Sequence, residues 1–314
     1  MDIVTAAGKT NASDIRMFNS HMHLIAMPPP WLYKTPTFSN DADYALTDES
    51  NAITELKIYR RSGGESAFDA TCSDYGRNPK AIGRILDKSD VKLILATGFN
   101  RGIYLDSYYH EKSIEELSEL WAREVEENIE GTSLRAGVIK VGMDYMRIMP
   151  IEEKCIMAAL EAHKRTRAPI SVHTTMGTMA SEFLDLAEKN GVDAGAVIFF
   201  HSDRNPDAFY WKGIAERGAF ITIDQIGKIN YGTESSRARF IEDLINAGFE
   251  DRILLGTDFA RRSNFRSYGY GPGLGYLFGK FVPFLTSSLA ADGIEKEKVL
   301  KAVNENPREA FSLK

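Results

Sequence analysis

Short apolar runs alternate with longer amphipathic segments along most of the chain, from about residue 66 onward. Short runs bounded by turn residues are typical of buried strands, and apolar residues three or four apart are typical of helices. The alternation therefore predicts repeated strand and helix units around a parallel sheet. The eight predicted strands are Ile15–Ser20, Ser66–Thr71, Val91–Gly98, Ala136–Gly142, Pro169–Thr174, Ala196–Ser202, Ala219–Gly227 and Ile253–Asp258.

Three predicted helices have clear terminal signals. Ser113 and Glu116 have the spacing of a capping box and begin a helix predicted over Ser113–Glu130. A second helix is predicted over Pro150–Ala162, because proline is tolerated in the first turn. Gly248 is placed to end a third helix. Each lies between two predicted strands, as crossover helices do.

Eight strands separated by helices are compatible with a closed (β/α)8 TIM barrel or with an open doubly wound sheet. The chain has no G-x-G-x-x-G motif after its first strand and no P-loop. Strand after strand ends instead in histidine, lysine or aspartate, which favours the barrel. A length of 314 residues admits one large domain or two ordinary ones. Since no low-complexity linker divides the chain, we predict a single domain over residues 1–314, with a long loop over Pro28–Asp43.

Composition narrows the classes of partner. A formal net charge of -6 argues against a general nucleic-acid-binding surface, although a local basic pocket remains compatible with it. The N-terminus has no basic segment followed by a long apolar run, and no stretch approaches a membrane span. We therefore expect a cytoplasmic protein with no nucleic-acid or membrane partner. Cys72 and Cys155 lie far apart and suggest buried apolar residues rather than a disulfide or a thiolate zinc site.

The first chemical signal is the pair His21 and His23 at the end of a short apolar run. Residues two apart on an extended chain point to the same side, so both imidazoles can converge on one ion. The H-x-H pattern alone is weak evidence for a metal site, and the simpler interpretation is two histidines in a loop.

Lys140 is a second signal, because it interrupts an otherwise apolar strand where an unpaired ammonium would carry a large desolvation cost. One interpretation is a buried lysine paired with a carboxylate. The other is an amine of lowered pKa that reacts with CO2 and forms a carbamate able to bridge two metals.

Three more polar residues lie at the ends of apolar strands: His173, His201 and Asp258. Barrel enzymes build their sites at that end, because the loops there surround a common axis. Singly, each can be a satisfied core residue, and Asp258 can be a helix cap. Together they supply nitrogen and oxygen ligands suited to zinc, manganese or cobalt. His163, by contrast, is predicted to lie on the surface.

This order of residues resembles the phosphotriesterase-like branch of the amidohydrolase superfamily. Besides the six residues above, the resemblance includes Asp69 with Tyr75-Gly76-Arg77, the run Ala136–Lys140, His201-Ser202-Asp203 and the closing segment Asn306–Phe311. It spans nearly the whole chain. The family's members have (β/α)8 barrels and binuclear metal sites, and some form dimers, so the resemblance implies these properties here.

Carried over, the resemblance implies that His21, His23 and Asp258 hold one divalent metal and that His173 and His201 hold a second. Lys140, as a carbamate, would bridge them. A hydroxide between the metals would attack a carbonyl or phosphoryl centre. Asp258 would accept its proton and pass it towards the leaving group.

The substrate has to be inferred from the loops. The family's acyl-homoserine lactonases have an aromatic residue soon after the third strand, where this chain has Gly98–Gly102 with Asn100 and Arg101, so a long acyl substrate is disfavoured. The loop Arg261–Leu274 resembles that of the family's phosphofuranose lactonases. Five polar or basic residues are candidates for binding an anionic substrate: Asn100, Arg101, Lys228, Arg261 and Arg262. The basic ones are also compatible with a solvated surface.

The favoured function is hydrolysis of a small, phosphorylated sugar lactone. The alternatives are an organophosphate triesterase or carboxylester hydrolase of the same family, and a catalytically silent metal-binding sensor. The complete ligand set argues against the sensor.

Overall fold

The computed structural model describes residues 1–34 and 41–314, and a parallel eight-stranded sheet forms its centre. An N-terminal hairpin of β1 (Asp2–Thr5) and β2 (Gly8–Asn11) precedes this sheet. The sheet strands are β3 (Phe18–Met22), β4 (Ser66–Asp69), β5 (Lys92–Gly98), β6 (Val138–Met143), β7 (Ile170–Thr174), β8 (Val197–Phe200), β9 (Phe220–Ile223) and β10 (Ile253–Leu255). Each strand pairs with its neighbours in the sequence.

The first and last strands of the sheet meet just past their C-terminal ends. The backbone N–H groups of Thr257 and Asp258 donate to the carbonyl of His21 at 3.1 and 2.8 Å, and His23 N–H donates to the carbonyl of Phe259 at 3.1 Å. These bonds close the sheet, so the predicted (β/α)8 barrel is confirmed. The closure also brings residues from the two ends of the chain into one site.

Helices surround the barrel. They are α1 (Asp41–Tyr44), α2 (Glu49–Arg61), α3 (Pro79–Leu86), α4 (Ser107–Glu111), α5 (Ile114–Glu126), α6 (Pro150–Thr166), α7 (Ala180–Lys189), α8 (Ala208–Glu216), α9 (Glu234–Asn246), α10 (Val282–Ala291), α11 (Lys296–Lys301) and α12 (Glu305–Ala310). Both hydrogen bonds of the capping box that begins α5 are present, and Pro150 is the first residue of α6. Gly248 follows α9 with φ of 86°. The three terminal signals are therefore confirmed.

The apolar core has two layers, because successive residues of a strand face opposite sides. On β5, Ile94 and Ala96 belong to the cluster inside the barrel, whereas Leu93 and Leu95 pack in the cluster between strands and helices. Cys72 lies in the inner cluster and Cys155 in the outer one; both are buried and unpaired, as predicted.

Several predicted boundaries are wrong. β9 ends at Ile223 rather than Gly227, and β10 ends at Leu255 rather than Asp258. In both places the chain leaves the sheet to form a site loop. β3 begins at Phe18 rather than Ile15 and ends at Met22 rather than Ser20, so His21 lies inside the strand. His163 is also not a surface residue, because α6 turns it inward, where its Nδ1 is 2.7 Å from the carbonyl oxygen of Ala168.

The hairpin of β1 and β2 was not predicted. Its connecting residue Ala6 bonds to the backbone at Leu93 and Arg135, which places the hairpin at the N-terminal end of the barrel, away from the histidines. The loop predicted over Pro28–Asp43 lies partly outside the described residues; its described part contains a 3-10 helix over Pro30–Lys34 and the start of α1. No helix in the described ranges is long and apolar enough to cross a membrane.

Candidate metal centre and substrate cavity

His21, His23 and Asp258 form the first cluster at the C-terminal end of the barrel. Asp258 Oδ1 lies 3.4 Å from His21 Nε2 and 3.6 Å from His23 Nε2. The ligand atoms of these three residues lie within 4.8 Å of one another, as a metal site requires. Asp258 has φ of 44°, a left-handed conformation that costs free energy for a non-glycine residue. That strain turns its carboxylate towards the two imidazoles.

Hydrogen bonds to other residues define which nitrogen of each histidine is free. His21 Nδ1 lies 2.7 Å from Asp224 Oδ2, and His23 Nδ1 lies 2.8 Å from Thr71 Oγ1. The Thr71 hydroxyl in turn donates to Asp69 Oδ1 at 2.6 Å. Protons on both Nδ1 atoms satisfy these contacts and leave each Nε2 lone pair for an ion.

His173 and His201 form the second cluster. His173 Nδ1 and His201 Nε2 are 2.9 Å apart, and the other nitrogen of His201 lies 3.0 Å from Asp224 Oδ1. The single carboxylate of Asp224 therefore orients one histidine of each cluster. Asp224 is also grouped geometrically with His21 and His201 as a possible ligand set, but its oxygens already engage their Nδ1 atoms. We assign it to orienting the ligands.

Lys140 lies on β6 beside both clusters and is fully buried. Its Nζ donates to the carbonyl of Ala70 at 3.0 Å, and no carboxylate among the described residues lies within 4.0 Å of it. Burial lowers the pKa of Lys140. The interpretation as a lysine paired with a carboxylate is thus not supported in the described part of the chain, and burial shifts the amine towards its neutral form.

The residues fit a divalent metal by a direct structural criterion. His21 Nε2 is buried and has no hydrogen-bond partner among the described residues. A buried polar atom without a partner is uncommon and calls for an explanation such as an ion. Burial also lowers the pKa of His21 to about 4 and that of His23 to about 3, and it holds the pKa of His173 well below its usual value. Neutral imidazoles are the form that binds metals.

Asp258 lies in a strongly positive environment. Burial by itself would raise its pKa, but the charge of Lys228 and the neighbouring His21 hold the pKa well below its usual range. Lys228 Nζ is 2.6 Å from Asp258 Oδ2, and the side-chain amide of Gln225 donates to the same oxygen at 3.1 Å. One carboxylate oxygen therefore faces the histidines while the other is held by the protein.

A cavity of about 310 Å³ opens above the two clusters. Its lining includes all six predicted metal ligands and four of the five predicted substrate-binding residues, namely Asn100, Arg101, Lys228 and Arg261. Arg262 is the exception, because it lies outside this lining: its Nε donates to the carbonyl of Ala45 and its guanidinium packs over the ring of Tyr268. The adjacent arginines of the β10 loop thus point in different directions.

Sequence reasoning missed several residues of the site. Asp224 directly follows β9, as His201 directly follows β8, so its position was an available signal. Arg204 follows His201 by three residues and also lines the cavity, where its guanidinium lies 4.0 Å from the centre of the Tyr231 ring. The lining further contains four tyrosines, and no local pattern distinguished these from core residues: Tyr44, Tyr75, Tyr104 and Tyr231.

Comparison with known proteins relates the chain to one family. The phosphotriesterase family model matches residues 1–311. The crystal structure of a lactonase from Listeria monocytogenes is similar with a TM-score of 0.95 and 32% identity, covering 100% of both chains. The phosphotriesterase homology protein of Escherichia coli, crystallised with phosphate in its active site, has a TM-score of 0.88 and 29% identity over 95% of this chain and 99% of its own.

A third relative, the phospho-furanose lactonase of Mycoplasmopsis agalactiae, is 28% identical over 98% of this chain and 91% of its own length. Binuclear metal sites are typical of the family. Because the family model matches nearly the whole length of this chain, the chain belongs to the phosphotriesterase family and is a metal-dependent hydrolase.

Proposed function

We propose that this hydrolase opens a small sugar lactone that carries a phosphate group. The observation that carries the proposal is the charge of the cavity. Apart from Lys140, whose amine is shifted towards its neutral form by burial, its described lining contains four basic side chains and one carboxylate, that of Asp258. The four basic residues are Arg101, Arg204, Lys228 and Arg261. A chain of net charge -6 that concentrates cations here is suited to an anionic substrate.

Two of these cations have no carboxylate partner among the described residues, and Arg101 has only the more distant carboxylate of Asp144, at 3.6 Å. Neither Arg204 nor Arg261 has a carboxylate within 4.0 Å among the described residues. Arg261 donates to the hydroxyl of Tyr231 at 3.1 Å, and its guanidinium lies 4.4 Å from the centre of the Tyr44 ring. Guanidinium groups recognise phosphate by paired, charge-assisted hydrogen bonds. Lys228 differs from them, because it already contacts Asp258.

The size of the cavity favours a small substrate. Its volume of about 310 Å³ is near the lower end of ligand pockets, which argues against a long acyl chain. The name of the Mycoplasmopsis relative and the phosphate in the Escherichia coli structure support the same substrate class.

Two divalent cations would be held by His21, His23 and Asp258 on one side and by His173 and His201 on the other. When bound, they would polarise the lactone carbonyl and make water nucleophilic at neutral pH. We place zinc first, with manganese or cobalt as alternatives, since all donors are nitrogen or oxygen. Asp258 would accept the proton of the attacking water at Oδ1 and return it to the leaving alkoxide, while Gln225 and Lys228 hold its Oδ2.

Lys140 is proposed to be carboxylated. Its unprotonated Nζ would form a bond to the carbon of CO2 and release one proton, which leaves an anionic carbamate between the two clusters. Metal removed with a chelator should then return faster when bicarbonate is added, and the mass of the native holoenzyme should include CO2. A metal-loaded structure with an unmodified Lys140 amine would exclude the carbamate.

The substrate proposal is tested with phosphorylated lactones and their unphosphorylated counterparts on the metal-reconstituted enzyme. We expect kcat/KM to be much higher for the phosphorylated lactones. Arg204→Ala and Arg261→Ala should each lower it by about 10- to 150-fold for the phosphorylated substrate only, which corresponds to the loss of a hydrogen bond to an ionised group. Lys228→Ala should lower turnover of both substrates, because Lys228 contacts Asp258.

Arg266→Ala is the matched control, since this exposed arginine lies on the same loop as Arg261 and does not line the cavity. Equal losses on both substrates in the Arg204 and Arg261 variants would assign these residues to maintaining the loop. Preferential turnover of paraoxon over every lactone would instead support a triesterase.

A further inference from the structure

The segment Asn100–Gly102 follows β5 and carries Arg101 into the cavity wall. It packs directly on the backbone of β6. A Cβ atom on Gly98 would lie 2.0 Å from the carbonyl oxygen of Lys140, and one on Gly142 would lie 2.0 Å from the carbonyl oxygen of Asn100. The strand that bears Lys140 therefore fixes where this segment leaves the barrel.

The buried carboxylate of Asp74 holds the segment from beneath. The N–H of Asn100 points at both of its oxygens, at 2.9 and 2.8 Å, and the N–H of Arg101 donates to Oδ2 at 3.3 Å. No basic side chain among the described residues lies within 4.0 Å of this carboxylate. Burial raises the pKa of this carboxyl to about 7, and its hydrogen bonds to the backbone at positions 100 and 101 oppose that rise.

Glu152 holds the other side of the segment. This carboxylate accepts hydrogen bonds from the N–H groups of Met149 at 2.9 Å, Gly102 at 3.1 Å and Asp144 at 3.1 Å. The bond to Met149 caps α6, and an ordinary capping role would end there. The other two bonds join the segments that carry Arg101 and Asp144.

The same network reaches the charged end of Arg101. Asp144, whose backbone is held by Glu152, places its Oδ1 3.6 Å from Arg101 Nη2. Arg101 and His173 both line the cavity above the metal clusters. Backbone and guanidinium of Arg101 are therefore both fixed, next to the proposed second metal position.

We propose that Asp74 and Glu152 are positioning residues that act through Arg101 and aim its guanidinium at the anionic substrate. This role rests on the proposed function. Neither carboxylate lines the cavity above the metal clusters, so neither contacts substrate there. The contribution of both should appear in KM, because binding of the anion depends on where Arg101 points, whereas the metal ligands remain in place.

The test is a double-mutant cycle on the metal-reconstituted enzyme with the best phosphorylated lactone. Asp74→Asn, Glu152→Gln and Arg101→Ala should each raise KM by about tenfold or more, the effect of losing a charge-assisted hydrogen bond, while kcat and metal content stay near wild type. Asp74→Asn added to Arg101→Ala should raise KM no further, because coupled residues are not additive. Asp106→Asn is the control, since this exposed carboxylate caps α4 and has no bond to the segment.

Additive increases in KM would show that Asp74 acts independently of Arg101 and would overturn the proposal. An unchanged KM in a correctly folded Asp74→Asn variant, or in Arg101→Ala, would also overturn the proposal. If Asp74→Asn fails to fold, Gly102→Ala replaces it, because a Cβ there would lie 2.6 Å from Glu152 Oε1 and displace that carboxylate. If the wild-type enzyme turns over no phosphorylated lactone, the proposed function is wrong, but the positioning role of Asp74 can still be tested. The same double-mutant cycle is then measured on the best substrate of the enzyme, with inorganic phosphate as the competitor.

Discussion

At the scale of single residues, Asp258 combines two tasks that its two oxygens divide. Oδ1 faces the histidines, and Oδ2 is held by Lys228 and Gln225. Asp258→Asn keeps an oxygen able to bind metal but removes the carboxylate that we propose takes the proton. We expect metal content to persist while kcat falls by about 10²- to 10⁴-fold, the usual contribution of general acid–base catalysis. Metal analysis with steady-state kinetics measures both, and near-normal turnover would mean that the proton goes elsewhere.

Asp224 is the residue that connects the two histidine clusters. Asp224→Asn leaves one oxygen to accept a hydrogen bond and sets an amide NH2 against the second imidazole. We expect metal affinity to fall by about 10- to 100-fold, as is typical when a partner of metal-binding histidines is lost. Titration of the metal-free protein with zinc measures it. Asp207→Asn is the control: it alters an exposed cap of α8 and should bind zinc like wild type. Unchanged zinc affinity in Asp224→Asn would show that Asp224 does not support the metal site.

At the scale of elements, β5 can approach β6 closely because Gly98 has no side chain. Gly98 has φ of 95°, and a Cβ there would lie 2.0 Å from a backbone oxygen. Overpacking and left-handed strain each cost about 1–3 kcal/mol, so Gly98→Ala should destabilise the protein by several kcal/mol. Gly83→Ala is the matched control, because Gly83 lies within α3 and a Cβ there would meet nothing within 4 Å.

Urea unfolding measures both glycine variants. We expect Gly83→Ala to gain about 0.5–1 kcal/mol from the lower conformational entropy of its unfolded chain. Similar effects of the two substitutions would show that β5 can move away from β6. The pattern of apolar residues predicted these strands and terminal residues predicted the helices beside them, but neither indicates how closely two backbones approach.

At the scale of the whole molecule, the buried site makes stability depend on pH. Burial lowers the pKa of His23 to about 3 in the folded protein, whereas an unfolded histidine titrates near 6.5. Between these values the unfolded chain binds a proton that the folded protein does not. Stability therefore falls as pH decreases from about 6.5 towards 3. Burial raises the pKa of Asp69 to about 6, which has the opposite sign: its contribution is lost as pH rises from about 4 to 6.

His23→Gln isolates the histidine contribution in metal-free protein. The unfolding free energy of this variant, measured with chelator present, should decrease less steeply than that of wild type between pH 6.5 and 4. Parallel curves for the two proteins would show that His23 is protonated in the folded state. Because wild type and His23→Gln both retain Asp69, the difference between their unfolding free energies does not include the contribution of Asp69.

The sequence by itself determined the order of strands and helices, the barrel and the kinds of ligand available. Hydrophobic periodicity and capping are local properties, and the strand-end position of His173, His201 and Asp258 follows from the strands. Boundaries at β9 and β10 were missed because the chain leaves the sheet there to form contacts with residues distant in sequence. After β10, the backbone at Thr257 and Asp258 bonds to His21, and after β9 the carboxylate of Asp224 contacts His21 and His201.

Only the tertiary structure decided which polar groups meet. Closing of the barrel placed Asp258 against His21 and His23, and packing turned Arg261 into the cavity but its neighbour Arg262 away from it. It also brought Asp224 between two histidines and Lys228 onto Asp258. The physical reason is that a polar or charged side chain adopts the direction in which it finds ionic, hydrogen-bond or aromatic partners, and these partners lie on other strands and loops.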